Sequence, residues 1–224
     1  AAHYGSISIV TFVSGAEFLR LMGVDYEGYL VAVMALMETP AIVSGLWLAS
    51  KYLPRDQTKG GASGELLREV FLNGSVVLLM GAFVIGLATG TEGMKTVAPF
   101  IDAPFKGVLC FFLLDMGLIA AGRLQDSKVI SLPLIAFGII MPLLGGALGL
   151  GAGWLIGLSP GGVAIMGILA ASASYIAVPA AMRLALPEAN PAIYLTLSLA
   201  ITFPFNLTIG IPLYLSLAQW MAGG

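Results

Sequence analysis

Charged side chains are scarce in this sequence. Only 10% of its 224 residues are Asp, Glu, Lys or Arg, and 58% are hydrophobic, whereas soluble domains carry about 25% charged residues. The ten basic and twelve acidic residues give a formal net charge of −2 and fall mostly in short stretches, so nucleic acid is not an expected partner. Low charge and long apolar runs predict an integral membrane protein.

Residues that carry much of enzyme chemistry are also rare. The chain has one cysteine, Cys110, and one histidine, His3, so no disulfide or thiol metal site can form within it. It contains no Ser-His-Asp arrangement, His-Glu-x-x-His run or phosphate-binding glycine loop. We therefore expect no enzyme activity and no cofactor, and we expect His3 only to pack beside the polar cluster that follows it.

The apolar residues are arranged in long stretches without the alternation that is typical of strands, which predicts an all-α polytopic membrane protein. Within them, Ser159-Pro160 has the pattern of a helix start. The seven stretches, each taken as a membrane segment, cover residues 5–22, 29–50, 72–90, 107–122, 129–156, 161–186 and 192–221.

The clearly polar part of the chain is the charged, glycine-rich stretch 51–69. Seven of the ten basic residues fall on the side of the membrane to which this stretch belongs. Because cytoplasmic loops carry an excess of Lys and Arg, residues 51–69 are predicted to form a cytoplasmic linker. The expected location is the bacterial inner membrane, crossed several times.

Two polar clusters indicate an internal repeat. "GSISIVTF" begins at Gly5 and "ASASYIAVP" begins at Ala171, and each is followed by a charged turn and a helix with a central proline. The spacing is 32 residues from Ser8 to Pro40 and 30 from Ser174 to Pro204. Since the copies start on opposite sides of the membrane, the pattern predicts inverted repeats with discontinuous helices, an architecture of secondary transporters.

The repeat also predicts a domain organisation. Residues 1–50 would form the C-terminal part of the first repeat, a half-helix plus one long helix, and residues 70–221 a complete second repeat of five helices. By symmetry, roughly 105 residues of the first repeat would precede Ala1. The chain is therefore expected to be the C-terminal portion of a ten-helix protein.

The two clusters predict an anion site. If each helix unwinds there, the half-helix that follows offers free N–H groups and roughly half a positive charge at its N-terminus. Two such ends meeting at the membrane midplane would hold a small monovalent anion. The alternative is that the hydroxyls serve only helix packing or bond their own backbone. The candidate substrate-binding residues are Gly5, Ser6, Ser8, Thr11, Ser172 and Ser174.

Two carboxylates at membrane depth point to a cation. Placing Glu38 or Asp115 in the hydrocarbon core costs about 2.5–3.5 kcal/mol, so each is expected to face a cavity or a partner. Thr202 and Asn206 would add the neutral oxygen ligands that a hard cation prefers. These four residues are the candidate Na+ site, with H+ as the other coupling ion. The alternatives are a protonated carboxylate or one paired with a basic residue in the helices expected to precede Ala1.

Four segments resemble the sodium-dependent bicarbonate transporter family known from cyanobacteria. They are "HYGSISIVTF", "MALMETPAIVSG", "ILAASASYIAVPAAMRLALPEANPAIY" and "IPLYLSLAQWMAGG", in the same order as in that family. The chain is identified as a more distant bacterial member that lacks the N-terminal part. It departs from the family at Tyr175, because the cyanobacterial "SSSDI" has an acidic residue at this position.

The resemblance implies two inverted five-helix repeats, a core and a gate region, a homotrimer, and uptake of bicarbonate driven by Na+. It also implies a cytoplasmic PII-like regulator. The expected function is therefore bicarbonate uptake by Na+ symport. Two alternatives stay open: a transporter of another small carboxylate, and a membrane sensor or scaffold that does not transport.

Overall fold

The computed structural model describes residues 2–34, 36–37, 40–41, 44, 74–126, 131–176, 178–179 and 189–223. Throughout these ranges the regular structure is helical, which confirms the predicted all-α class, and residues 30–34 add a further helical stretch. The helices are α1 (Ala2–Gly5), α2 (Ile9–Leu21), α3 (Gly74–Asp126), α4 (Leu132–Leu155), α5 (Pro160–Ala171), α6 (Pro191–Leu195), α7 (Phe203–Phe205) and α8 (Ile211–Gly223). Two π-helical segments, π1 (Thr196–Thr202) and π2 (Asn206–Gly210), join α6, α7 and α8 into one run.

Three helical stretches in the described ranges are long and apolar enough to cross a membrane: Pro104–Gly122, Leu132–Leu155 and Pro191–Gly223. Their lengths of 19, 24 and 33 residues meet the requirement of about 20 residues for a span. The last one is π-helical on both sides of Pro204. Proline donates no hydrogen bond and its ring clashes with the carbonyl four residues earlier, and a wider turn relieves that clash.

Helix α3 corrects the sequence prediction in part. Residues 72–90 and 107–122 were expected to form separate segments, and Gly74–Asp126 consists of two helices that meet at Gly90, whose backbone is not helical (φ 60°, ψ −155°). The first predicted segment ends where expected, whereas the second helix begins directly after Gly90 and takes in the polar stretch before residue 107. This polar stretch favours helix because Lys95 Nζ pairs with the Glu92 carboxylate one turn earlier, at 2.7 Å. From residue 91 to Asp126 the second helix has 36 residues, about 54 Å at 1.5 Å per residue, which is longer than the hydrocarbon core of about 30 Å. Gly90 has φ 60°, which glycine adopts without steric cost.

Helix α5 lies at the centre of the fold. Ser159 caps its N-terminus by accepting from the N–H of Gly162, and Pro160 occupies the first turn, so the predicted helix start is confirmed. Helix α4 packs antiparallel to α5 through glycines: a side chain at Gly145 would meet the Ala170 carbonyl, and one at Gly149 the Met166 carbonyl. Small residues allow this close approach of two backbones in a membrane protein.

Candidate anion-binding site

Helical structure stops at both of the polar clusters. Between α1 and α2, residues 6–8 are not helical. Ser8 has extended backbone (φ −114°, ψ 113°), and its Oγ accepts from the N–H of Thr11, which makes it the N-cap of α2. After α5 ends at Ala171, residues 172–176 are not helical. We call residues 6–8 and 172–176 together the crossing.

The two segments contact each other inside the protein. The Ser8 N–H donates to Ser172 Oγ at 2.9 Å, and the Ser172 hydroxyl donates to the Leu169 carbonyl at 2.7 Å. Residues 164 positions apart in sequence are therefore joined by a buried hydrogen bond. This bond connects the N-terminus of α2 directly to the C-terminus of α5.

A second connection involves His3. The Ser174 N–H donates to the His3 carbonyl at 2.8 Å, and His3 Nδ1 lies 2.7 Å from the Ser174 carbonyl oxygen. Because a carbonyl only accepts, Nδ1 carries the hydrogen. The ring also stacks on Tyr194, with centroids 4.6 Å apart. His3 therefore bonds the crossing as well as packing beside it. The only sequence signal for this contact is the position of His3 three residues before Ser6.

The structure brings together five of the six predicted substrate-binding residues. Their hydroxyls belong to residues that are at most 5% exposed: Ser6, Ser8, Thr11, Ser172 and Ser174. Gly5 is different because it is exposed. It lines a cavity of about 500 Å³ whose other walls are Val33, Leu36, Met37, Pro40, Ala41 and Ser44. The first cluster thus lies between a buried polar region and an open apolar cavity.

Two of the predicted cation ligands lie next to the crossing. Thr202 Oγ1 donates to the Gly138 carbonyl at 2.7 Å, so the Tyr4 hydroxyl, 2.8 Å away, donates to Thr202. Asn206 Nδ2 donates at 2.9 Å to the carbonyl of Ala171, the residue before the crossing. Both side chains are buried. They hold the π-helical run against α1, α4 and α5.

The described contacts around the crossing include neither of the two acidic candidates. Asp115 is exposed on α3, and Glu38 lies outside the described residues. Across the described ranges no group of three or more His, Cys, Asp or Glu side chains could hold a metal ion. The oxygen atoms near the crossing in these ranges come from hydroxyl, amide and backbone groups.

The protein has helices long enough to cross a membrane, and the two non-helical segments of the crossing form a buried polar region between them. These features define a polytopic membrane protein with an internal polar site. Comparison with protein families agrees, because the model of the Na+-dependent bicarbonate transporter superfamily matches residues 1–219. The chain belongs to this superfamily, and the predicted resemblance is confirmed. No curated protein matches the chain.

Proposed function

We propose that this protein is a secondary active transporter that takes up bicarbonate together with Na+ across the bacterial inner membrane. The observation that carries the proposal is the buried Ser8 to Ser172 contact, which places the N-terminus of a 13-residue helix against the second polar segment. A helix N-terminus attracts anions through its free N–H groups and its dipole. Membership in a superfamily described as Na+-dependent bicarbonate transporters supports both the anion and the ion.

The hydroxyls of the crossing divide into two kinds. The Ser172 hydroxyl uses its one hydrogen on Leu169 and accepts from Ser8, so it joins the segments and has no hydrogen left for a ligand. Ser8 Oγ accepts from Thr11 and Ser174 Oγ accepts from Val178, and each keeps its O–H free to donate. We therefore assign donation to the anion to Ser8 and Ser174, and positioning to Ser172. In this proposal Gly5, Ser6 and Thr11 complete the wall around the anion.

The coupling cation is proposed to bind beside the anion. Asn206 Oδ1 accepts only one long hydrogen bond, from the Tyr214 hydroxyl at 3.5 Å, so it keeps lone pairs for a cation. Thr202 Oγ1, in contrast, already donates one hydrogen bond and accepts another. Asn206 is the stronger of the two neutral ligands by this count. Glu38 would supply the charge, and the exposed Asp115 a weaker contribution. A Na+ ion here would hold π2 close to α5.

The architecture proposed for this function has two inverted repeats with discontinuous helices, assembled as a homotrimer. Helix α3 leaves large apolar side chains exposed, among them Leu87 at 78% and Phe100 at 84%. In a membrane these would contact lipid or a second copy of the chain. A PII-like protein on the cytoplasmic side is proposed as regulator from the family resemblance alone.

Uptake into liposomes tests the function. The reconstituted protein should accumulate labelled bicarbonate when an inward Na+ gradient is applied and lose that uptake without it. Ser8→Ala and Ser174→Ala should each weaken bicarbonate uptake by about tenfold or more, because each removes one hydrogen bond to a charged ligand. Ser216→Ala is the matched control, since Ser216 is exposed on α8 and bonds only the Pro212 carbonyl of its own helix.

Three results would separate the alternatives. Competition by formate or acetate stronger than by bicarbonate would identify another small carboxylate as the substrate. Bicarbonate binding without flux would favour a sensor. Equal uptake by Ser8→Ala, Ser174→Ala and the Ser216→Ala control would remove the crossing as the anion site.

A further inference from the structure

The crossing contains buried polar atoms that have no hydrogen-bond partner among the described residues. In the part of the chain that the structure describes, five buried side-chain atoms have no hydrogen-bond partner: His3 Nε2, Ser6 Oγ, Ser14 Oγ, Tyr175 Oη and Thr196 Oγ1. Two of them belong to the crossing itself, and His3 is bonded to it. Buried polar groups are nearly always satisfied, so a concentration of unpaired ones indicates a missing partner.

Tyr175 is the largest of these side chains that belongs to the crossing. It is only 8% exposed, and its ring meets Phe203 edge to face with centroids 5.3 Å apart. Val10, Ala120, Leu199 and Ala200 belong to the same apolar cluster. This packing fixes the ring, so the hydroxyl at its tip has a fixed position as well.

The Tyr175 ring belongs to the same apolar cluster as Val10, which lies in the first turn of α2, and its unpaired hydroxyl lies close to the Ser8 side chain. Since Ser8 is the N-cap of α2, the phenol hydroxyl lies at the N-terminus of that helix. Two neighbouring hydroxyls that do not bond each other can both donate to one shared acceptor. An anion oxygen is such an acceptor, and the helix end favours its negative charge.

We propose that the Tyr175 hydroxyl donates a hydrogen bond to the anion at the N-terminus of α2, which makes Tyr175 a specificity-determining residue of this site. The inference rests on the proposed function and deepens it. A neutral phenol adds a donor without adding charge, so this side chain, unlike a carboxylate, does not repel an anion. It suits a small monovalent oxyanion, with one oxygen between Ser8 and Tyr175.

Tyr175→Phe tests the role with little change in packing, because phenylalanine keeps the ring against Phe203. The Michaelis constant for labelled bicarbonate in Na+-driven liposome uptake should rise by about ten- to a hundredfold, the effect of losing one hydrogen bond to a charged group. The melting temperature without bicarbonate should stay the same or rise, since the substitution removes a buried unpaired hydroxyl. Tyr29→Phe is the control, because Tyr29 is 54% exposed, and it should behave like the unchanged protein.

A second measurement does not depend on transport. Sodium bicarbonate, titrated at constant pH, ionic strength and Na+ concentration, should raise the melting temperature of the purified protein, and Tyr175→Phe should need a correspondingly higher concentration for the same rise. A Tyr175→Phe protein with an unchanged Michaelis constant and an unchanged titration overturns the inference while the proposed function stands. A lower melting temperature with an unchanged Michaelis constant would mean a structural role and also overturns it. If the unchanged protein shows neither uptake nor a bicarbonate-dependent shift, both proposals fail.

Discussion

His3 and Ser174 are joined by two hydrogen bonds across 171 positions of sequence: the Ser174 N–H donates to the His3 carbonyl at 2.8 Å, and His3 Nδ1 donates to the Ser174 carbonyl at 2.7 Å. Outside a helix, the N–H and C=O of Ser174 have no regular partners. His3 provides one for each. The pair therefore allows the chain to remain non-helical inside a buried region, which is what a ligand site between two helix ends requires.

The first prediction concerns the ring of His3. His3→Leu should lower the free energy of unfolding by about 1–3 kcal/mol, because it leaves the buried Ser174 carbonyl without its side-chain donor. His3→Asn should retain most of the stability, since the asparagine amide nitrogen stands as many bonds from the backbone as Nδ1. Thermal unfolding in one detergent, followed by tryptophan fluorescence, compares the two variants.

His3→Gln is the control for side-chain size in this series. Its amide nitrogen lies one bond further out, near the position of the unpaired Nε2, so it should resemble His3→Leu more than His3→Asn. Equal melting temperatures for His3→Asn and His3→Leu would contradict a stabilising role for the Nδ1 hydrogen bond.

The second prediction concerns the glycines between α4 and α5. A methyl group at Gly149 would collide with the Met166 carbonyl and lie 2.7 Å from Ala170 Cβ. Because a backbone carbonyl cannot turn aside, the two helices must separate, and Gly149→Ala should destabilise the protein by about 1–3 kcal/mol. The measurement is the melting temperature in detergent.

Gly151 provides a matched control two residues away on the same helix. Nothing lies within 4 Å of a methyl group placed there, so Gly151→Ala should be neutral or stabilising by up to about 1 kcal/mol, through the helix propensity of alanine. A Gly149→Ala protein as stable as Gly151→Ala would show that α4 and α5 do not pack as closely as described.

The sequence predicted those features that depend on local chemistry. The Ser159-Pro160 pattern identified the start of α5, because a hydroxyl cap and a proline in the first turn act within a few residues. Long apolar runs identified the all-helical membrane class. The break at residue 90 was predicted, but the helical state of the stretch after it was missed because the charges around Glu92 and Lys95 resemble a loop, although their one-turn spacing also suits a helix.

The contacts of the crossing could not be read from sequence. The bond from Ser8 to Ser172 and the pair of His3 with Ser174 join residues more than 160 positions apart, and no local pattern specifies such pairings. Tyr175 was visible only as a departure from a family motif. Its closeness to Ser8 follows from the packing of its ring on Phe203, which is a tertiary property.

The last prediction concerns Glu27, whose carboxylate binds the N-terminus of α5. Its two oxygens accept from the Ser159 N–H at 2.7 Å and from the Ser159 hydroxyl at 3.1 Å, while Ser159 Oγ accepts from the Gly162 N–H at 3.1 Å. A negative charge at a helix N-terminus is favourable. Glu27→Gln should therefore lower the free energy of unfolding by about 1–2 kcal/mol.

Gly162 allows the same contact to be tested from the other side. A methyl group there would collide with the Glu27 carboxylate, so Gly162→Ala alone should displace Glu27 and cost about 1–3 kcal/mol. In a Glu27→Ala background the same substitution should cost much less, because the obstructing group is gone. Glu92→Gln is the control for Glu27→Gln and should change the free energy of unfolding little, since the ion pair of Glu92 with Lys95 is exposed. Gly162→Ala and Glu27→Ala are each also measured alone. If their separate costs add up to the cost of the double variant within about 0.5 kcal/mol, Glu27 does not hold the end of α5 as described.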